Sequence, residues 1–166
     1  MEAKNWKLYE DLESILYTEA QLKEAVVQLG ERITRDYQGK KPVMVCILKG
    51  ASVFFCDLIR QIDLPLEIDF MVVSSYGSGT SSSGEVQLVK DLGRSVNGRD
   101  VIVVEDIVDS GTTLSYLKKV LDSRGVSSLR ICSLLDKPDR RRVPLTVDYS
   151  CFEIPDAFVV GYGLDY

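Results

Sequence analysis

The sequence has 166 residues, 45% hydrophobic and 27% charged, which is the size and composition of one globular domain and excludes a low-complexity chain. Twenty Lys and Arg against twenty-five Asp and Glu give a net charge of −5, which argues against general nucleic-acid binding because that needs a basic face. No apolar run reaches the roughly 20 residues of a membrane span, and the absence of histidine excludes Ser-His-Asp and Cys-His catalysis.

Without histidine, a general base at neutral pH must be a carboxylate or a perturbed lysine, tyrosine or cysteine. Cys46, Cys56, Cys132 and Cys151 form no CxxC pair and sit in apolar stretches, so they are expected to be small buried hydrophobes in a reducing compartment. The N-terminal stretch MEAKNWKLYEDLESI mixes acids and polar residues and does not read as a secretory signal, so a cytoplasmic location is expected.

In chain order, TEAQ (18–21) is a capping box, with Thr18 as N-cap and Gln21 reaching back. Leu22, Val26, Leu29 and Ile33 recur at helical spacing and predict an amphipathic helix over about 19–37. VMVCIL (43–48) predicts a buried strand, followed by Lys49-Gly50 and a helical pattern to about Gln61. LEIDFMVV (66–73) predicts a strand that leads into SSYGSGTSSSG, a surface loop of the kind that often serves as a lid.

EVQLV (85–89) predicts another strand, and Asn97-Gly98 a turn. VIVV (101–104) lacks polar alternation, as expected of a central parallel strand covered on both faces. Leu114, Leu117 and Leu121 mark a helix that Gly125 can end as a C′ residue. LRICSLL (129–135) predicts a strand, DKPDRRRVP a loop, and VDYSCF and AFVV two last short strands. Strands alternating with helices predict an α/β fold, a mostly parallel sheet with helices on both sides, in one domain.

The stretch VIVVEDIVDSGTT (101–113) combines chemistry that looks contradictory. Ligands of open α/β sheets bind beyond the carboxyl ends of the strands, and Glu105 and Asp106 are expected to end the central strand. DSGTT then falls in the strand-to-helix turn, where backbone amides and hydroxyls can hold an anion at a helix start. Neither GxxxxGK[ST] nor GxGxxG is present. A capped helix start alone would account for DSGTT, but two adjoining acids at the end of a buried strand weaken that reading. A sugar phosphate with a metal-bound leaving group reconciles acids and phosphate.

VIVVEDIVDSGTT closely resembles the phosphoribosyl-pyrophosphate (PRPP) motif of type I phosphoribosyltransferases. ILKGA (47–51), SSYGSGTSSSGEVQLVKDL (74–92), LLDKP (134–138) and FEIPDAFVVGYGLDY (152–166) narrow the resemblance to the hypoxanthine-guanine branch, in the family's order and spacing from about residue 42 onward. It implies the type I fold with a small hood from the N- and C-terminal segments and a mobile lid over about 74–84. The implied reaction moves a 5-phosphoribosyl group from PRPP to a 6-oxopurine, giving IMP or GMP and pyrophosphate.

By the same resemblance, Glu105 and Asp106 engage the ribose hydroxyls and Mg²⁺, and Asp109 is the acid/base near purine N7. Ser110, Gly111, Thr112 and Thr113 hold the 5′-phosphate, and Lys49 and Gly50 the pyrophosphate. Ser75 and Tyr76 begin the lid, while Asp165 serves a second Mg²⁺. Lys137 contacts O6 of the base, where an ammonium can donate to a carbonyl but cannot accept from an amino group. Phe158 stacks on the purine and Val159 reads its edge through the backbone.

Apart from the resemblance, Lys137 is an ordinary surface lysine, Phe158 and Val159 are core residues, and Arg140–Arg142 form a solvated loop, with an approach of one of the three to pyrophosphate as the alternative. The implied partners are small molecules and further copies of the chain, as a homodimer or homotetramer, with no nucleic acid and no membrane. A xanthine-preferring enzyme and a regulatory RNA-binding protein on the same fold are the alternatives.

Overall fold

The computed structural model describes residues 12–75 and 86–164. Its first helix, α1 (Glu19–Asp36), starts as the sequence predicts: the Thr18 hydroxyl accepts the Gln21 N–H at 3.3 Å, and the Gln21 side chain accepts the Thr18 N–H at 2.9 Å. Val26, Leu29 and Ile33 form its buried stripe. Each such side chain contributes roughly 1.5–3 kcal/mol on burial.

Then follow β1 (Val43–Leu48), α2 (Ser52–Ile59), β2 (Glu67–Ser75), β3 (Val86–Lys90), β4 (Asp100–Val108), α3 (Thr112–Asp122), β5 (Ser128–Asp136) and β6 (Tyr149–Glu153). The six strands form one sheet in the order β3-β2-β1-β4-β5-β6, parallel except for β3. The continuous apolar runs are explained by two-sided covering. Met44, Cys46, Ile102 and Val104 face α1 and α2, whereas Val43, Val45, Val101 and Val103 face α3 through Leu114, Leu117 and Leu121.

Three sequence expectations shift. β4 runs on to Val108, so Glu105 and Asp106 lie within the strand and not at its end. Pairing to β5 at Ile107↔Leu135 and Val108↔Asp136 sustains it there, after the partner on the other side has left. AFVV forms no strand and has no partner strand among the described residues, where β6 is the edge of the sheet. α3 ends with Ser123 as C-cap, which makes Gly125 (φ 73°) the second residue past the cap, one later than expected.

The strand order reverses between β1 and β4, and their pairing stops at Cys46↔Val104. Beyond that pair the two strands are no longer bonded, and the β1–α2 loop and the continuing β4 form two walls at the carboxyl edge of the sheet. That switch point is where an α/β sheet offers a ligand site.

Candidate active site

One wall is the β1–α2 loop. It carries a cis peptide bond between Leu48 and Lys49, preceding the Lys49-Gly50 bond, and the Lys49 side chain is exposed. A β-carbon on Gly50 would overlap the Asp106 carboxylate, so this loop and β4 meet with no room for a side chain. The C-terminal GYG turn packs on the same loop. A β-carbon on Gly163 (φ 92°) would come within 2.8 Å of the Gly50 carbonyl, and the Tyr162 hydroxyl donates to Asp57 at 2.6 Å.

The other wall is β4. Glu105 accepts the Asp106 N–H at 3.1 Å, and Asp106 accepts the Ile107 N–H at 2.7 Å. Burial first, and then the neighbouring Asp106 carboxylate, pushes the Glu105 carboxyl well above the usual carboxylate range. A cation or a row of hydroxyl donors would relieve that cost, which fits a carboxylate pair built to receive a polar ligand.

After β4, Asp109-Ser110-Gly111 turns into α3, with Gly111 at φ 79°, a conformation that favours glycine. The Ser110 hydroxyl lies 3.2 Å from that of Thr112 and accepts its N–H at 3.4 Å. The first amides of a helix have no intrahelical partner, so this turn suits an anion.

The β5–β6 connection supplies the rest. Lys137 is buried, with its side chain only 8% exposed and its Nζ 3.8 Å from Asp156, which rules out the surface-lysine alternative. Its N–H donates to the Val108 carbonyl at 2.9 Å. Phe158 is 76% exposed, so it is not the core residue that hydrophobicity alone suggests, whereas Val159 packs partly against the core.

The arginine run is only partly a solvated loop: Arg140 and Arg142 are exposed, whereas Arg141 is partly buried. Arg140 Nε donates to Asp109 at 3.0 Å and its Nη1 to Asp156 at 3.2 Å, and the partly buried Arg141 bonds Asp136 and two carbonyls of the β4–α3 turn. Arg140, Arg141, Asp136 and Asp156 are thus site-forming residues that sequence reasoning did not name as such. The one available signal was Asp136 closing an apolar strand.

The structure therefore brings together Lys49, Gly50, Glu105, Asp106, Asp109, residues 110–113 and Lys137. Through Asp156 it also draws in the segment that holds Phe158 and Val159. Ser75 ends β2 paired with Val86 at the sheet edge, three residues past the last β1–β2 pair, Leu48↔Val72. Tyr76, Asp165 and most of the expected lid lie outside the described residues. Among the described residues no three His, Cys, Asp or Glu cluster as a closed metal cage. Two adjacent carboxylates fit Mg²⁺, which is commonly bound by one or two carboxylates together with substrate phosphates and water.

Known proteins share both sequence and fold. The phosphoribosyl transferase domain family matches residues 14–166. The "Bifunctional protein TilS/HprT" of Listeria monocytogenes is 50% identical over 162 residues, 98% of this chain, which spans only 25% of that relative's length. A hypoxanthine-guanine phosphoribosyltransferase of Streptococcus thermophilus is 48% identical over 96% of this chain and 88% of its own. The crystal structure of a hypoxanthine phosphoribosyltransferase from Staphylococcus aureus superposes with a TM-score of 0.94 at 51% identity, covering 99% of this chain and 89% of that one. The chain belongs to the phosphoribosyl transferase domain family.

Proposed function

We propose that the protein is a hypoxanthine-guanine phosphoribosyltransferase that moves the 5-phosphoribosyl group from PRPP to hypoxanthine or guanine, yielding IMP or GMP and pyrophosphate in purine salvage. One observation carries this reading. A carboxylate pair and a turn suited to a phosphate follow one another along β4 at the switch point of the sheet, and a buried lysine at the end of the neighbouring β5 is hydrogen-bonded to β4 between them.

In this reading, residues 110–113 bind the 5′-phosphate, Glu105 and Asp106 accept hydrogen bonds from the ribose hydroxyls, and the Lys49-Gly50 loop faces the pyrophosphate. Lys137 donates to O6, which selects a 6-oxopurine over adenine. Phe158 offers an exposed ring for stacking, and the backbone of Val159 reads the purine edge. As the bond from C1′ to pyrophosphate breaks and the bond to the purine nitrogen forms, Asp109 takes the proton from N7. Arg140 occupies Oδ1 of Asp109, which leaves Oδ2 for that proton.

Glu105 and Asp106 would hold Mg²⁺, with Asp165 serving a second ion, and the metal would supply charge neutralisation for the departing pyrophosphate. Ser75 and Tyr76 begin a lid, over about 74–84, that keeps water from the ribosyl centre. A single domain over residues 1–166 with a hood from both terminal segments completes the reading. Tyr17 stacks on Phe152 of β6 with ring centroids 3.8 Å apart, which ties the N-terminal segment to the sheet. A homodimer or homotetramer in the cytoplasm is part of the same proposal; free cysteines suit the reducing compartment, although Cys46 and Cys132 alone are fully buried and Cys56 is exposed.

The test incubates protein, PRPP and Mg²⁺ with hypoxanthine, guanine, xanthine and adenine separately and follows nucleotide formation by absorbance. Turnover of hypoxanthine and guanine is expected. Turnover of xanthine alone would redirect the substrate, and no turnover of any 6-oxopurine would overturn the enzyme.

A further inference from the structure

We propose that Arg141, anchored by Asp136, is a positioning residue that locks the base-reading loop to the 5′-phosphate turn, so that the two halves of the nucleotide site are set by one side chain. The proposal rests on the phosphoribosyltransferase reading above, and it concerns a residue that touches no ligand.

The side chains of Arg141 and Asp136 are only 16% and 11% exposed. Nη2 of Arg141 donates to the Asp136 carboxylate, while Nη1 donates to the carbonyls of Val108 at 3.2 Å and Asp109 at 2.7 Å. Its Cδ lies 3.0 Å from where a β-carbon on Gly111 would stand. Two backbone bonds flank this grip: Lys137 N–H to the Val108 carbonyl and Arg142 N–H to the Ser110 carbonyl, each 2.9 Å. Residues 137–142 therefore hold the carbonyls of 108, 109 and 110 in succession.

The consequence follows from peptide geometry. In a trans peptide the C=O of one residue and the N–H of the next point in opposite directions, and cis bonds in the described chain are confined to Leu48-Lys49. Turning the carbonyls of Asp109 and Ser110 toward the 137–142 loop turns the N–H groups of Ser110 and Gly111 away from it. Those are the donors assigned to the 5′-phosphate. At its other end the same guanidinium fixes Asp136, whose next neighbour in the chain is Lys137. A planar fork can satisfy a carboxylate and two carbonyls at once, whereas an ammonium on a flexible stem cannot reproduce that geometry.

The test uses the full chain and compares Arg141→Gln, Arg141→Lys, Asp136→Asn and the Arg141→Gln/Asp136→Asn double variant. The readouts are KM for PRPP, kcat, and the ratio of IMP to inosine affinity, which isolates the 5′-phosphate. Arg141→Gln and Asp136→Asn should each raise the PRPP KM and lower the IMP/inosine ratio by about tenfold, the scale of losing a hydrogen-bonded charge. Arg141→Lys should rescue neither, and the double variant should be no worse than the poorer single variant.

An unchanged PRPP KM and IMP/inosine ratio in folded Arg141→Gln would overturn the proposal. So would full rescue by Arg141→Lys, which would mean that a point charge suffices, or strictly additive losses, which would mean that Arg141 and Asp136 act independently. If Arg141→Gln does not fold, the near-isosteric Asp136→Asn decides by the same two readouts. Wild-type protein without 6-oxopurine turnover would instead defeat the proposed function, while the IMP/inosine ratio would still report on the clamp.

Discussion

In the proposed function the site has a side for phosphate and ribose and a side for the base, and the two are built by different means. The phosphate and ribose side is nearly contiguous: Glu105, Asp106, Asp109 and residues 110–113 follow one another along β4 and its turn, and the second element is a loop so close that Gly50 has no space for a β-carbon. The base side is assembled from charges far apart in sequence, with Asp109, Arg140, Asp156 and Lys137 joined as a chain of ion pairs. A ligand held by backbone amides needs a fixed main chain, so glycines and strand ends suffice there. A base read through one ammonium needs that ammonium held in place while it is out of water, and this takes opposite charge from other segments.

The largest expected effect falls on the joint between the two sides. Asp109→Asn should lower kcat by about 10²–10⁴-fold, the usual contribution of an acid/base group, while PRPP still binds. Unchanged turnover would place the proton acceptor elsewhere. On the contiguous side, Gly50→Ala should cost on the order of a hundredfold in kcat/KM, since the overlap with Asp106 displaces either the loop or the carboxylate. A normal rate would show that this wall tolerates movement.

On the assembled side, Lys137→Gln should lower kcat/KM for hypoxanthine and guanine by about tenfold, with little loss for adenine, so that discrimination narrows. An unaltered preference among bases would remove Lys137 from that role. The smallest effect lies at the opposite end of the sheet, where Glu67 sits between Lys41 at 2.9 Å and Arg99 at 3.3 Å. Side-chain hydrogen bonds from Lys41 and then Arg99 lower its pKa from the ordinary 4.5 to about 2. A carboxyl whose folded pKa is depressed stabilises the fold above its unfolded pKa, and that contribution is lost as pH falls through the folded pKa. Urea unfolding of wild type and Glu67→Gln should therefore differ slightly near pH 6 and converge as pH falls from 4.5 to about 2, with turnover at neutral pH unchanged. A gap that persists at pH 2 would mean that Glu67 acts through packing and not through its charge.

How legible each side was follows from the same difference. The capping box at Thr18, the apolar runs of β1 and β4 and the Asp109-to-Thr113 turn are all local patterns, and the structure carries each of them. The end of β4 is not visible in sequence, because Glu105 and Asp106 look like a strand terminus whereas pairing to β5 carries the strand past them. AFVV has the composition of a strand but no partner strand among the described residues. Arg141 could not be singled out from Arg140 and Arg142, since three identical residues differ only in what surrounds them.

Sequence by itself determined the alternation of strands and helices, the two-sided burial of the central strands and the acid-then-phosphate order of residues 105–113. These depend on neighbours one to four residues apart, which any reading of the chain can see. Only the tertiary structure decided that Lys137 is buried, that Gly50 abuts Asp106 and that Arg141 ties Asp136 to the carbonyls of 108 and 109. Those contacts join segments that β4, α3 and β5 bring together, and the charge of a side chain does not say which partner the fold will place beside it.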